Sequence, residues 1–260
     1  MDMKKLVLIA LLFIVIPLSA YAVKVTSLYH ADMPVSSQSD DERAQAVKQG
    51  FTQLLIKLTG NPDIANNPDI KEAIKRADYY VQEYSYSAPT TNSATYLIHL
   101  TFEMNDINRL LKKSGIAFWG EKRPLILVWL AVTDAKHVTE IVGNETPGDV
   151  IDLMKYQGKK LALPLIFPLM DVTDMSQVSP EEVAAMTLPV LKQAGKRYSP
   201  NAYLIGKIEP TDNGYQSEWQ LLLNQDEWSW NITDKTMDAV IKEVLMQASQ
   251  ALSKYYQVKS

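Results

Sequence analysis

The chain has 260 residues, of which 47% are hydrophobic and 22% charged, with 10 Gly, 13 Pro, no Cys and a formal net charge of −4. Such a composition excludes a disordered, collagen-like, disulfide-framed or polytopic membrane protein, and no basic tract offers a surface for nucleic acid. The absence of Cys also removes thiol catalysis, thiolate metal ligands and lipid attachment at a cysteine.

Residues 1–22 read as an export signal. Lys4 and Lys5 precede thirteen uncharged residues, 6–18, fewer than the ~20 that span a bilayer core as a helix. Ser19-Ala20-Tyr21-Ala22 then places small Ala at the two positions a signal peptidase inspects, so cleavage is expected between Ala22 and Val23. The expected product is a soluble protein of the Gram-negative periplasm, or a secreted one, with no integral membrane segment after cleavage. It must fold on its core alone, since it has no Cys to cross-link.

Residues 23–33 alternate as a half-buried strand that Pro34 should end. Ser39 and Glu42 form a capping-box pair, and Ala44, Val47, Phe51, Leu54, Leu55 and Leu58 continue a helix to Gly60. Asn67-Pro68 opens a second helix. Strands are expected over 79–88 and 95–104, joined by the polar residues 89–93, and a short helix capped by Asn105 or Asp106 runs to Gly115. The order βααββα defines a small α+β domain, 23–118. A boundary is placed at Trp119-Gly120-Glu121-Lys122-Arg123-Pro124, with a second domain over 119–260. Charge divides there too: residues 23–123 hold 12 basic and 12 acidic side chains, whereas 124–260 hold 12 and 17.

Residues 125–132 form an unbroken apolar run, as suits a strand buried on both faces. A helix is expected from Thr146-Pro147 to Lys160. A strand over 161–170 should be short or bulged because of Pro164 and Pro168. Ser179-Pro180-Glu181-Glu182 caps a helix to Tyr198, and strands follow over 202–209, 215–223 and 227–233, with a tight turn at Asn213-Gly214. The last helix, 234–256, carries one apolar face. The second region is thus an α/β arrangement: a mixed, partly parallel sheet covered by helices, with an antiparallel hairpin extension.

The inventory for chemistry is thin. His30, His99 and His137 are scattered, and His137 with Glu140 is too small a set for Zn²⁺, which takes at least three protein ligands. No nucleophile elbow or phosphate-cradling glycine pattern occurs, which argues against nucleotide enzymes and sequence-contiguous triads, though not against a triad assembled in space. No catalytic residue, cofactor or metal is therefore assigned. Asp171 and Asp174 follow an apolar strand, so they are read either as a polar pocket or as turn caps. Trp228 and Trp230 lie in one hairpin with Trp219, and parity places them on an apolar face; a glycan platform is the alternative, and requires them exposed. Trp119 beside Arg123 is read either as a partner contact or as a wedge between domains.

Gly60-Asn61-Pro62, the run Tyr79-Tyr80-Val81-Gln82-Glu83-Tyr84-Ser85-Tyr86, the segment from Trp119 to Pro124 leading into Leu127-Val128-Trp129-Leu130-Ala131-Val132, and Leu163-Pro164-Leu165 with Pro168-Leu169-Met170-Asp171 together resemble an uncharacterised exported proteobacterial family, domain of unknown function 2066. Asn201-Ala202-Tyr203-Leu204-Ile205-Gly206-Lys207-Ile208, before a Trp-bearing hairpin and a final helix, is similar to the α/β module of the TolB amino-terminal domain and the FlgT middle domain. The second likeness implies protein contacts. The expectation is a non-enzymatic periplasmic protein that binds other envelope proteins or assists envelope assembly. The alternatives are a periplasmic hydrolase using Asp171 and Asp174, or a glycan-binding module using Trp228 and Trp230.

Overall fold

A computed structural model describes residues 23–88, 95–146 and 148–259. The expected signal with Ala22, the 89–93 connection and Pro147 lie outside these residues.

The first sheet is antiparallel, with β2 (His30–Val35), β3 (Val81–Ser87) and β4 (Tyr96–Phe102) in the order β2-β4-β3; β1 (Val23–Lys24) pairs instead with β5 (Lys122–Arg123). Period two sends Ala31, Val35, Ile98, Leu100 and Phe102 into a core shared with Phe51, Leu54, Leu55 and Leu58 of α1 (Asp40–Thr59). Ile70 of α2 (Pro68–Lys75) and Ile107 of α3 (Met104–Lys113) join the same core. His30, Asp32, His99, Thr101 and Ser87 are consequently left on the opposite face. The expected 23–33 strand is split by a turn that buries Leu28 and Tyr29. Pro34 lies inside β2 rather than ending it, because β2 is an edge strand, where a missing N–H forfeits no ladder bond. The capping box is half formed. Ser39 accepts from the Glu42 N–H, but the Glu42 carboxylate reaches past the cap to the N–H groups of Ser36 and Ser37, at 2.7 and 2.9 Å.

The second sheet orders β11 (Asp226–Asp234), β10 (Gly214–Leu223), β9 (Ala202–Thr211), β6 (Ile126–Thr133) and β7 (Thr139–Ile141), with β8 (Leu165–Ile166) also beside β6. β6 is parallel to β8 and β9, and the other pairs are antiparallel, so the mixed sheet with a hairpin extension is as expected. Successive residues of β6 serve two cores. Ile126, Val128 and Leu130 pack with α4 (Asp149–Leu161) and α8 (Met237–Lys259), whereas Leu127, Trp129 and Ala131 pack under α6 (Pro180–Ala184) and α7 (Leu188–Gly195). The helix expected over 180–198 is broken where Met186 takes a left-handed φ of 50° and Pro189 opens α7. α5 (Val172–Gln177) was not foreseen. Gly206 is required by contact: a Cβ there would come within 2.2 Å of the Trp219 ring on the neighbouring strand. No helix among the described residues is long and apolar enough to cross a membrane.

The end of α1 joins the two cores. A helix leaves its last four carbonyls without intrahelical partners, and here each is supplied. Gly60, at φ 66°, returns its N–H to Ile56 O; Arg123 Nη2 donates to Lys57 O at 3.0 Å; the Trp119 N–H donates to Leu58 O at 2.8 Å; Ser253 Oγ and Gln257 Nε2 of α8 donate to Thr59 O at 2.7 and 3.2 Å.

Candidate functional site

Trp119, Arg123, Asp171, Asp174, Trp228 and Trp230 all make contacts within the fold. Trp119 and Arg123 are 3% and 0% exposed, so neither is a surface contact for a partner. The Trp119 ring stacks on Tyr256 at 5.2 Å, and the Arg123 guanidinium lies 3.8 Å from the Trp119 ring centre while donating to backbone carbonyls of residues 57, 119 and 120. Asp171 caps α5 by accepting the Asp174 N–H, and Arg197 bridges both carboxylates, at 2.8 Å to Asp171 and 3.0 Å to Asp174. Asp174, 1% exposed, also accepts from Tyr198 Oη and the Met170 N–H. With every oxygen engaged, the pair is a brace rather than an open pocket. The Arg197 hydrogen bond holds the Asp171 carboxyl down at about 2. Trp228 and Trp230 are half-buried against the core beneath α8, with Trp228 edge-on to Tyr255, so the hairpin presents no exposed aromatic platform. His137 and Glu140 are both exposed, and no group of three or more His, Asp or Glu side chains among the described residues is arranged to hold a metal ion.

A different site emerges along the free edge of β2. A cleft of about 700 Å³ runs between that edge, α1 and α4; Ala31, Pro34, Leu97 and the Tyr156 ring supply its apolar wall, and Lys57, Lys159, Lys160, His30 and Asp32 its charge and polarity. Its size is that of a site for a small organic molecule. Lys57 is the unusual member. It occupies the buried face of α1 between Leu54 and Leu58, is 4% exposed, and donates to the His30 carbonyl at 2.6 Å. Burial, then the like charge of Arg123, draws its ammonium down from 10.5 to about 8. The acid in the cleft, Asp32, is already held by others: Oδ1 faces His99 Nδ1 at 2.8 Å and Oδ2 faces Lys159 Nζ at 3.1 Å.

The outer face of the sheet continues this network. His99 stands directly opposite Asp32 on one side and Ser85 on the other, and its Nε2 meets Ser87 Oγ at 2.6 Å. Because a carboxylate only accepts, the 2.8 Å contact assigns the proton of neutral His99 to Nδ1, and Nε2 is then the acceptor for the Ser87 hydroxyl. Burial works against the charge of Asp32, but hydrogen bonds from His99 and Lys159 outweigh it and hold the carboxyl below its usual range. A further rung places Thr101 Oγ1 3.1 Å from His30 Nδ1.

Sequence reasoning missed this group because register decides it. Asp32, Ser87 and His99 are 67 and 12 residues apart along the chain at the two hydrogen bonds that join them. Parity was the available signal, since His99 and Thr101 alternate with Ile98, Leu100 and Phe102. For Lys57 the signal was a cation at helical spacing from Leu54 and Leu58.

A family described as a domain of unknown function, DUF8605, matches residues 22–120. The first part of the chain is thus similar to an uncharacterised domain; that domain is not the domain of unknown function 2066 expected above, and no kinship with TolB or FlgT is found. No curated protein matches the chain. A formyltetrahydrofolate deformylase structure from Pseudomonas putida KT2440 aligns over 88% of this chain and 92% of its own at 9% identity, with a TM-score of 0.19 that marks no shared fold.

Proposed function

We propose that the chain is an exported binding protein of the cell envelope, and that it binds a small organic anion in the cleft beside β2. One observation carries the ligand's charge: the buried Lys57 ammonium is partnered by a carbonyl rather than a carboxylate, while Asp32 is committed to His99 and Lys159. A bound anion would supply the missing counter-charge, and its apolar body would lie along Pro34, Leu97 and Tyr156. Export rests on Lys4, Lys5 and the Ser19-Ala20-Tyr21-Ala22 pattern. The burial of Trp119 and Arg123 withdraws one of the supports for a protein-binding role.

Titration with the fluorescent anion anilinonaphthalene sulfonate tests the cleft. One saturable site, displaced by octanoate and weakened by Lys57→Met and by Lys160→Ala, is the expected result. Binding unchanged in both variants refutes the reading. Affinity should also fall as pH rises through about 8, where Lys57 sheds its proton. Mass spectrometry of the exported protein should find a mature chain beginning at Val23.

A further inference from the structure

We infer that the sheet face adjoining the cleft also transforms what the cleft binds: Ser87 and His99 on that face, with Asp32 at the cleft, form a nucleophilic relay that hydrolyses an ester carrying a distal carboxylate. The substrate's charge rests on the anion reading above; the relay rests on its own geometry. Ser87 Oγ lies 2.6 Å from His99 Nε2, and His99 Nδ1 lies 2.8 Å from Asp32, so the hydroxyl, both ring nitrogens and the carboxylate are linked in one line. This is the order in which serine hydrolases on unrelated folds arrange nucleophile, base and orienting acid, recognised by geometry rather than by chain position. Lys159 fixes the second oxygen of Asp32, which keeps the carboxylate ionised and aimed at His99.

Three neighbouring strands contribute one residue each, so strand spacing gives the substrate's length. Ser87 pairs with Leu97 on β4, and Leu97 pairs with Pro34 on β2; the last two line the cleft. Ser87 therefore stands two strand spacings from the cationic edge, ~10 Å at ~4.8 Å per spacing. An ester carbonyl at Ser87 and a carboxylate at the β2 edge near Lys159 and Lys160 fit an acyl chain of about eight carbons, lying over Leu97 and Pro34.

In the reaction, Ser87 Oγ bonds to the carbonyl carbon while its proton passes to His99 Nε2. The tetrahedral adduct expels the alcohol, which takes that proton. Water then attacks the acyl-serine, gives a proton to His99, and the carboxylic acid departs as Ser87 recovers its hydrogen. The net change is ester plus water to acid plus alcohol. His99 and Ser87 are the catalytic residues; Asp32 is a positioning residue, because it acts only through the imidazole.

The full chain is assayed with two p-nitrophenyl esters, neutral octanoate and the mono-ester of suberic acid, and with a fluorophosphonate followed by peptide mass spectrometry. The expected result is Ser87-dependent turnover of both, a lower KM for the suberate ester, and a phosphonyl adduct on Ser87. Ser87→Ala and His99→Ala should each lower kcat/KM by about 100-fold or more. Asp32→Asn should lower kcat for the octanoate ester and leave its KM unchanged, since an amide can reverse the imidazole tautomer without touching a neutral substrate. Lys160→Ala should raise KM for the suberate ester alone. Turnover that survives Ser87→Ala, or a chain that neither hydrolyses an ester nor takes the adduct, overturns the relay. Equal KM for the two esters, with Ser87-dependent turnover intact, overturns the anionic substrate class and leaves the relay standing.

Discussion

Replacing Lys57 by Met keeps the aliphatic stem and removes the charge, and its effect on stability should depend on pH in a direction the structure fixes. In the folded chain the Lys57 pKa is about 8 against an ordinary 10.5, with burial the largest cause and Arg123 the next. Below pH 8 the folded and unfolded states both hold the proton, and the cost of the buried charge is present in full. Between 8 and 10.5 the unfolded chain binds more proton than the folded one, so stability rises with pH across that window. Integrating from about pH 7 to about pH 9.5 gives a gain of about 2 kcal/mol for Lys57. The window stops there because Tyr29, Tyr203 and Tyr256 have phenols raised by burial, which make stability fall once the unfolded phenols ionise. Urea unfolding at the two pH values, run on both proteins, measures the difference with common terms cancelling. The wild-type chain should gain about 2 kcal/mol relative to Lys57→Met between them. Parallel stability curves for the two proteins would refute the assignment of a costly charge to this site, and with it the reason for an anion in the cleft.

The structural roles of the other residues can be checked in the same assay. Trp119→Ala empties a buried ring site between Tyr256 and Arg123 and should cost about 3–5 kcal/mol; a loss under ~0.5 kcal/mol would mean the ring is not part of the joint. Asp174→Ala strips the buried acceptor from Tyr198, Met170 and Arg197 and should cost about 2–4 kcal/mol. Ca²⁺ should leave the unfolding temperature unchanged, and a rise on adding Ca²⁺ that Asp171→Ala abolishes would count against the brace. Gly206→Ala forces the Trp219 ring from its place and should cost about 1–3 kcal/mol, read alongside a shift in tryptophan emission.

Much of the fold could be read from periodicity because burial imposes it directly. The double-faced run at 126–131 sends alternate side chains into two cores, and nothing but an apolar strand covered on both sides would tolerate that sequence. The prolines at 164 and 168 likewise restrict β8 to Leu165–Ile166. Contacts between distant segments were a different matter. Trp119 and Arg123 sit in a stretch that is polar on paper, yet both are buried, because the end of α1 needs donors that only that stretch and α8 can bring. Asp171 and Asp174 looked available because Arg197 is out of sight along the chain, and the Asp32–His99–Ser87 line depends on a strand order that alternation cannot reveal.

The joint and the cleft have one physical origin. The negative end of α1 attracts cations, and two of them lie there buried, Arg123 on the carbonyl of residue 57 and Lys57 on the carbonyl of His30. Backbone carbonyls satisfy their N–H groups but cancel no formal charge. Two carboxylates in place of those carbonyls would have neutralised the region and left no charge for an anion to offset. As built, the positive charge is stabilised enough to stay folded, and on the side that opens to the cleft it is only partly offset, because the nearby Asp32 is shared with His99 and Lys159. The anion proposed for the β2 edge is thus called for by the same carbonyl satisfaction that lets α1 bridge two cores, and removing the charge at residue 57 should strengthen the fold at neutral pH while weakening the site.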